Sequence, residues 1–227
     1  MDMTLFKPLS SNTKQSAVQE RIWSECELLM SQKIRGDLGI CIAGLVLVCS
    51  PRDLDLMKGN FSEKIRDYSP EYRKSLEEMI TAHLHGTFQN IRLMNQQGVF
   101  SSMVEPVADD SPRYWKMVAL QCTTGDNESD RLRFLKFLLS GFCMFVQEIP
   151  GHPVGMLFPG GDRVEFVDGV YYCPVRTKAN DVDTALCPFC PARQTPEIGY
   201  LKPPVNPSEH RRQEFIQDCY DHHHFNW

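Results

Sequence analysis

The chain has 227 residues, of which 42% are hydrophobic and 23% are charged, with a formal net charge of −5 and an isoelectric point of about 5.8. This length and composition favour one large globular domain, or a domain with a small appendage, that buries its own apolar core. The acidic balance argues against a nucleic-acid-binding protein, since such proteins usually present a basic surface.

Apolar residues at helical spacing predict a first helix over residues 14–35, which Gly36 is expected to end. The apolar segment of residues 38–49 is a buried helix or a buried strand, and periodicity alone does not decide between them. The uncharged run that contains it, residues 38–51, is shorter than the roughly 20 residues that cross a membrane. No membrane span is therefore predicted.

The clearest helix is predicted over residues 70–95, with Pro70 at its first position, where the missing N–H has no cost. A second strong helix is predicted over residues 130–147, with Asn127 or Ser129 as its cap. This segment is apolar on nearly all sides, which is typical of a central helix in a bundle.

A β-hairpin is predicted over residues 164–173, because Asp168-Gly169 separates two β-prone runs. A type I′ turn needs positive φ at both central positions, and Asp-Gly suits both. The predicted fold is mainly α: a helical bundle-like domain over residues 1–150, followed over residues 151–227 by a small C-terminal hairpin and a cysteine-rich, zinc-knuckle-like subdomain with a Pro-rich tail.

Three cysteines at the end of this hairpin and just beyond it predict a metal site. Cys173 ends the hairpin, and Cys187 and Cys190 form a Cys-x2-Cys turn. Thiolates on tight turns are typical ligands of tetrahedral Zn²⁺. We expect His152 to be the fourth ligand, because it lies in a rigid Pro/Gly turn next to the hairpin.

Other residues and other cofactors remain open for this site. The alternative fourth ligands are Cys143, Cys219 and His222. An iron–sulfur cluster is less favoured than zinc, since such clusters usually take four cysteines. A dithiol redox motif is also less favoured, because no βαβ pattern precedes Cys187 and the proline after Cys190 opposes helical geometry.

The cysteine count favours a reducing compartment. There are nine cysteines, an odd number, and most lie among apolar residues. A cytoplasmic location with reduced thiols is the simpler expectation, and the first residues do not match a secretory signal peptide.

Four motifs carry a resemblance to a known family. They are His152-Pro153-Val154-Gly155, Phe158-Pro159-Gly160-Gly161, Tyr171-Tyr172-Cys173-Pro174-Val175 and the segment from Ala185 to Gln194. Together they resemble an uncharacterised family of methanogenic archaea known as domain of unknown function 2115. The resemblance implies an archaeal cytoplasmic setting, in which iron–sulfur chemistry is common, and it supplies no catalytic residue.

The sequence thus predicts a metal-binding cytoplasmic protein with structural zinc and an accessory or interaction role, whose partner is an unknown protein or a small molecule. A metalloenzyme with an open zinc position and an iron–sulfur or thiol redox protein are the alternatives. A weaker one is a zinc knuckle that contacts nucleic acid through basic side chains, namely Arg193, Lys202, Arg211 and Arg212. Whether the protein is an enzyme stays open.

Overall fold

The computed structural model of the chain describes residues 17–122, 125–158, 162–177 and 186–196. Within these ranges the α-helices are α1 (Ala17–Ser31), α2 (Arg35–Val46), α3 (Pro51–Lys64), α4 (Pro70–Gln96), α5 (Ser111–Gln121) and α6 (Asn127–Gly141). A π-helical turn (Phe142–Val146) continues α6, and short 3-10 turns span Val99–Ser102 and Cys187–Phe189. The strands are β1 (Glu165–Val167), β2 (Val170–Cys173) and β3 (Arg193–Gln194). The expectation of a mainly helical fold is confirmed.

The N-terminal helices differ from the prediction in where they break. Helix α1 ends at Ser31, and Gly36 lies in the first turn of α2 instead of ending α1. The reason is a close approach of two backbones: Gly36 donates its N–H to the carbonyl of Met103 at 3.0 Å, and Arg35 donates to Glu105 at 2.9 Å. A residue without a side chain is needed there, because a Cβ on Gly36 would overlap the carbonyl oxygen of Phe100.

The segment that was ambiguous between helix and strand is α2, and the helix that follows it, α3, was not predicted. Ser50 and Pro51 begin α3, with Pro51 at the first helical position. The Asp53 carboxylate accepts hydrogen bonds from the Ser50 backbone N–H at 2.7 Å and from Arg131 of α6 at 2.7 Å. One carboxylate thus caps α3 and joins it to α6.

The two long helices largely follow the prediction. Pro70 holds the first position of α4, as expected. The cap of α6 is Asp126, neither of the predicted Asn127 and Ser129, because its carboxylate accepts the N–H groups of Glu128 and Ser129, each at 3.0 Å. None of the helices in the described ranges is long and apolar enough to cross a lipid bilayer.

The helices pack around the fully buried side chain of Tyr114 in α5. Its hydroxyl donates a hydrogen bond to the carbonyl oxygen of Phe137 in α6 at 2.7 Å. Its ring meets Trp115 at 4.8 Å and Phe145 of the π-helical turn at 5.1 Å between ring centroids. Gly141 of α6 allows this packing, because a Cβ there would lie 2.6 Å from the Trp115 ring.

The hairpin forms as predicted, and it gains a third strand. Asp168 and Gly169 have φ of 49° and 79°, so both central turn positions have positive φ. Strand β3 pairs with β2 in parallel, with Cys173 opposite Gln194. One buried apolar cluster includes residues from α1 through Ala192, and the domain boundary at residue 150 stays a prediction.

Gly36→Ala is expected to destabilise the protein, because the new methyl group would press against backbone carbonyls that cannot move aside. The expected loss in the free energy of unfolding is about 1–3 kcal/mol, as for other overpacked sites. Gly44→Ala in the same helix is the matched control, since a Cβ on Gly44 has no atom within 4 Å. This control is expected to gain about 0.5–1 kcal/mol from helix propensity. Urea denaturation checks both, and equal effects would contradict the close approach.

Asp53→Asn is expected to destabilise the protein in a pH-dependent way. The hydrogen bond from Arg131, together with those from Ser50, holds the pKa of Asp53 below its ordinary value. The charged carboxylate therefore contributes stability above that ordinary value, and this contribution is lost as pH falls through the lower pKa of the folded state.

The expected difference between wild type and Asp53→Asn is about 1–2 kcal/mol at pH 7, and it shrinks toward pH 3 in urea titrations. Asp55→Asn on the same helix is the control, because the Asp55 side chain is exposed and lies 3.9 Å from its partner His85. A difference that does not change with pH would contradict the ionic role of Asp53.

Candidate metal centre

The hairpin carries Cys173 into the protein interior. Strand β2 ends at this residue, whose exposed fraction is 3%. The chain then turns at Pro174, where the Arg176 N–H donates to the Cys173 carbonyl at 3.3 Å, and the backbone N–H groups of Val175 and Arg176 act on the Cys173 sulfur in the direction that lowers its pKa. Backbone N–H groups that face a cysteine sulfur favour its thiolate form, because they stabilise negative charge on the sulfur.

Cys187 and Cys190 lie at the two ends of one 3-10 turn. The Cys190 N–H donates to the Cys187 carbonyl at 3.1 Å, and both side chains are buried. The Cys190 sulfur accepts the N–H of Ala192 and that of Gly151, a residue from the segment after α6. The turn thus receives donors from its own loop and from the helical part.

Two polar side chains fasten the hairpin end to this turn. The Arg176 Nε donates to the carbonyls of Cys190 and Ala192, each at 3.0 Å. The Gln194 side chain donates to the Pro174 carbonyl and accepts the Thr177 N–H, each at 2.9 Å. These contacts join residues 14 to 20 positions apart in the chain. No local motif in the sequence points to Arg176, so its role was not predicted.

Burial keeps the three thiols protonated in spite of these donors. It raises the pKa of Cys173 to about 11 and that of Cys187 to about 12, and it also raises the pKa of Cys190. The Arg176 guanidinium acts in the opposite direction on all three. A further cation is therefore needed before these sulfurs ionise at neutral pH.

The three thiols influence one another electrostatically, so the fold brings the predicted cysteines into one neighbourhood. The Cys187 pKa is raised further by Cys173 and Cys190, and the Cys173 pKa by Cys190. Within the ranges that the structure describes, however, no group of three or more His, Cys, Asp or Glu side chains is arranged to hold a metal ion. The donor chemistry fits zinc, and binding would require the sulfurs to close around the ion.

His152 is buried on the helical side of this neighbourhood. Its ring lies edge-on to Phe158, with centroids 5.7 Å apart. Burial, with further contributions from His83 and Lys136, lowers its pKa to about 4, so the imidazole is neutral at pH 7. Neutral imidazole is the form that binds metals. His83 itself contacts the Gly151 carbonyl at 3.1 Å.

Cys143 lies in the π-helical turn and is fully buried. Its sulfur is 3.7 Å from the Thr87 hydroxyl of α4, and it interacts electrostatically with Cys190. Burial raises its pKa to about 12. The sequence analysis favoured His152 over Cys143 as the fourth ligand, because Cys143 lies on a buried helix. In the structure, however, that helix ends beside the thiol turn. The other two alternative ligands, Cys219 and His222, lie outside the described residues.

Comparison with known proteins identifies the family of the chain. Residues 34–195 match the family described as "Uncharacterized protein conserved in archaea (DUF2115)". This range contains Cys143, His152 and the three hairpin cysteines. No solved structure matches the chain.

The relatives are UPF0305 proteins of methanogens. The chain is 33% identical to that of Methanopyrus kandleri over 86 residues, which are 38% of this chain and 61% of the relative. It is 54% identical to one from Methanothermobacter thermautotrophicus over 52 residues, which are 23% of this chain and 34% of the relative. The protein of Methanocaldococcus jannaschii is 26% identical over 149 residues, 63% of this chain and 86% of the relative.

The first two matches thus span less than two thirds of the relatives' own length. The family match, in contrast, extends through α2–α6 and the hairpin to the end of β3. The chain therefore belongs to the DUF2115 family of uncharacterized archaeal proteins.

Proposed function

We propose that this protein binds a structural Zn²⁺ ion through Cys173, Cys187 and Cys190. The observation that carries the proposal is the environment of these thiols: all three are buried, Arg176 joins the hairpin end to the thiol turn through the carbonyls of Cys190 and Ala192 at 3.0 Å, and its guanidinium acts on all three sulfurs in the direction that favours the thiolate. Such donors stabilise thiolates and add little to neutral thiols. His152 and Cys143 compete for the fourth position.

The proposed role of the metal is to hold the small sheet in place. The strands have only two to four residues each, and isolated hairpins are marginally stable in water. Zinc at the end of β2 would add its binding energy directly to folding. A closed shell of four protein ligands leaves no position for substrate, which favours an accessory or interaction protein, with an unknown protein or a small molecule as its partner, over an enzyme.

The state of the cysteines is consistent with the proposed cytoplasmic location. All eight cysteines in the described ranges are free thiols, and free thiols persist in a reducing compartment.

An iron–sulfur protein is the second candidate, and a specific observation favours it. Cys143 would make the ligand set four cysteines, which is the usual set for such clusters. The redox alternative is weaker, because a nucleophilic cysteine needs a lowered pKa and burial raises the pKa of both Cys187 and Cys190.

Elemental analysis of protein purified without oxygen, with a visible spectrum of the same sample, is the first test. We expect stoichiometric zinc and no colour, and we expect Cys187→Ser to lose the metal. Cys41→Ser, at a half-buried thiol of α2, is the matched control and should keep the metal. A brown colour with iron and sulfide in the sample would show that the cofactor is an iron–sulfur cluster instead of zinc. A protein without metal would contradict the proposal.

Zinc affinity is expected to rise with pH, because each raised thiol pKa means that a proton must leave before a Zn–S bond forms. Between pH 6 and 8 the three thiols should release about three protons per zinc; neutral His152 in the fourth position would add none, and Cys143 there would add one more. Calorimetry in buffers of different ionisation enthalpy measures this number. Release of fewer than about two protons would contradict thiolate binding by all three cysteines.

A further inference from the structure

The π-helical turn gives Cys143 an unusual position at the end of α6. In this turn Gln147 donates its N–H to the carbonyl of Phe142, five residues back, at 3.0 Å, and Ile149 donates to the carbonyl of Cys143 at 2.9 Å. Because of this wider turn, residues 149–151 leave the end of the helix close to the backbone of Cys143. Single π-turns of this kind are frequent at functional sites.

The same segment connects Cys143 with the thiol turn. The Ile149 N–H binds the Cys143 carbonyl, and two residues later the Gly151 N–H donates to the Cys190 sulfur. A Cβ on Gly151 would lie 3.7 Å from the Met144 sulfur and 3.5 Å from a Leu186 methyl carbon. Met144 adjoins Cys143 and Leu186 adjoins Cys187, so the π-turn and the thiol turn meet at Gly151.

We propose that Cys143 is the fourth ligand of the metal, so that four thiolates bind it and the ion joins α6 directly to the hairpin. This inference rests on the proposed function, since it takes metal binding by Cys173, Cys187 and Cys190 as given. It assigns the fourth position to a residue of the helical core.

The environment of His152 makes it the poorer ligand. The groups that act on it are His83 and Lys136, both of which become positive on protonation, and its ring packs on Phe158. Both groups disfavour added positive charge at the His152 ring, and a Zn²⁺ ion there would add such charge. Cys143 instead interacts with Cys190, which is itself a proposed ligand.

The charges at a four-thiolate site are matched by groups that the structure provides. Each Zn–S bond replaces one S–H bond, and the proton leaves to solvent, so four thiols release four protons for one Zn²⁺. The product carries a net charge of about −2. Arg176 offsets part of it, backbone N–H groups donate to Cys173 and Cys190, and the Thr87 hydroxyl lies 3.7 Å from the Cys143 sulfur.

X-ray absorption at the zinc edge of the full wild-type chain tests the assignment without any variant. We expect four sulfur neighbours at about 2.3 Å. Three sulfurs with one nitrogen or oxygen at about 2.0–2.1 Å would overturn it while leaving zinc binding by the three hairpin cysteines intact. A protein that takes up no zinc would overturn both proposals.

Two variants identify the residue, with chelator competition as the measurement. Cys143→Ser should weaken zinc affinity by more than about 100-fold, beyond the loss seen when only an outer-shell partner is removed. His152→Gln should change it less than about threefold, below that range. Cys26→Ser, at an equally buried thiol in α1, controls for the loss of a core cysteine.

Cobalt substitution adds a spectroscopic measurement. Intensity of the thiolate-to-cobalt absorption scales with the number of bound thiolates, so Cys143→Ser should lose about a quarter of it and Cys26→Ser none. Full intensity in Cys143→Ser together with loss of zinc affinity in His152→Gln would assign the fourth position to His152 and overturn the inference.

Discussion

The packing of Tyr114 is the interaction on which the rest of the structure depends. Its hydroxyl is bonded to a main-chain carbonyl of α6, and its ring meets aromatic side chains of α6, of the π-helical turn and, through Phe189 at 5.3 Å, of the thiol turn. A phenol with no solvent contact needs a partner for its O–H, and the Phe137 carbonyl provides it. The arrangement makes the cysteine turn part of the main core, and Arg113 of α5 covers the outer face of Phe189 at 5.0 Å.

The features that sequence analysis predicted well are those that a few neighbouring residues determine. Asp168 and Gly169 specify their turn through backbone preferences alone, and Pro70 starts α4 for the same reason. Gly36 was misread because its role depends on the 3-10 turn of Val99–Ser102 and on Met103, far along the chain, whose carbonyls it approaches. Helix α3 is short in apolar residues, so its periodicity is weak. Asp126 was overlooked in favour of neighbours with equally good capping side chains.

The candidate site likewise combines features that neighbouring residues determine with contacts between distant parts of the chain. The grouping of Cys187 with Cys190 follows from their spacing, and the approach of Cys173 follows from the hairpin. The contacts that join the parts are non-local: Arg176 reaches the carbonyl of Cys190, and Gly151 reaches its sulfur. A sequence pattern does not show how close such segments lie to each other in the folded protein. The proposed order of preference between His152 and Cys143 therefore rests on contacts that the sequence does not show.

The π-helical turn also limits how the length of this chain can vary. One turn of π-helix contains one residue more than an α-turn of the same rise, and the extra residue sets the direction in which the chain leaves α6. Deleting one residue between 142 and 146 would remove the wide turn that the Gln147-to-Phe142 hydrogen bond closes and would shorten the path from α6 to Gly151 by one residue. Gly151 would then turn away from Cys190. An insertion or deletion in this segment would separate the helices from the hairpin, so alignments of relatives should contain no gaps here.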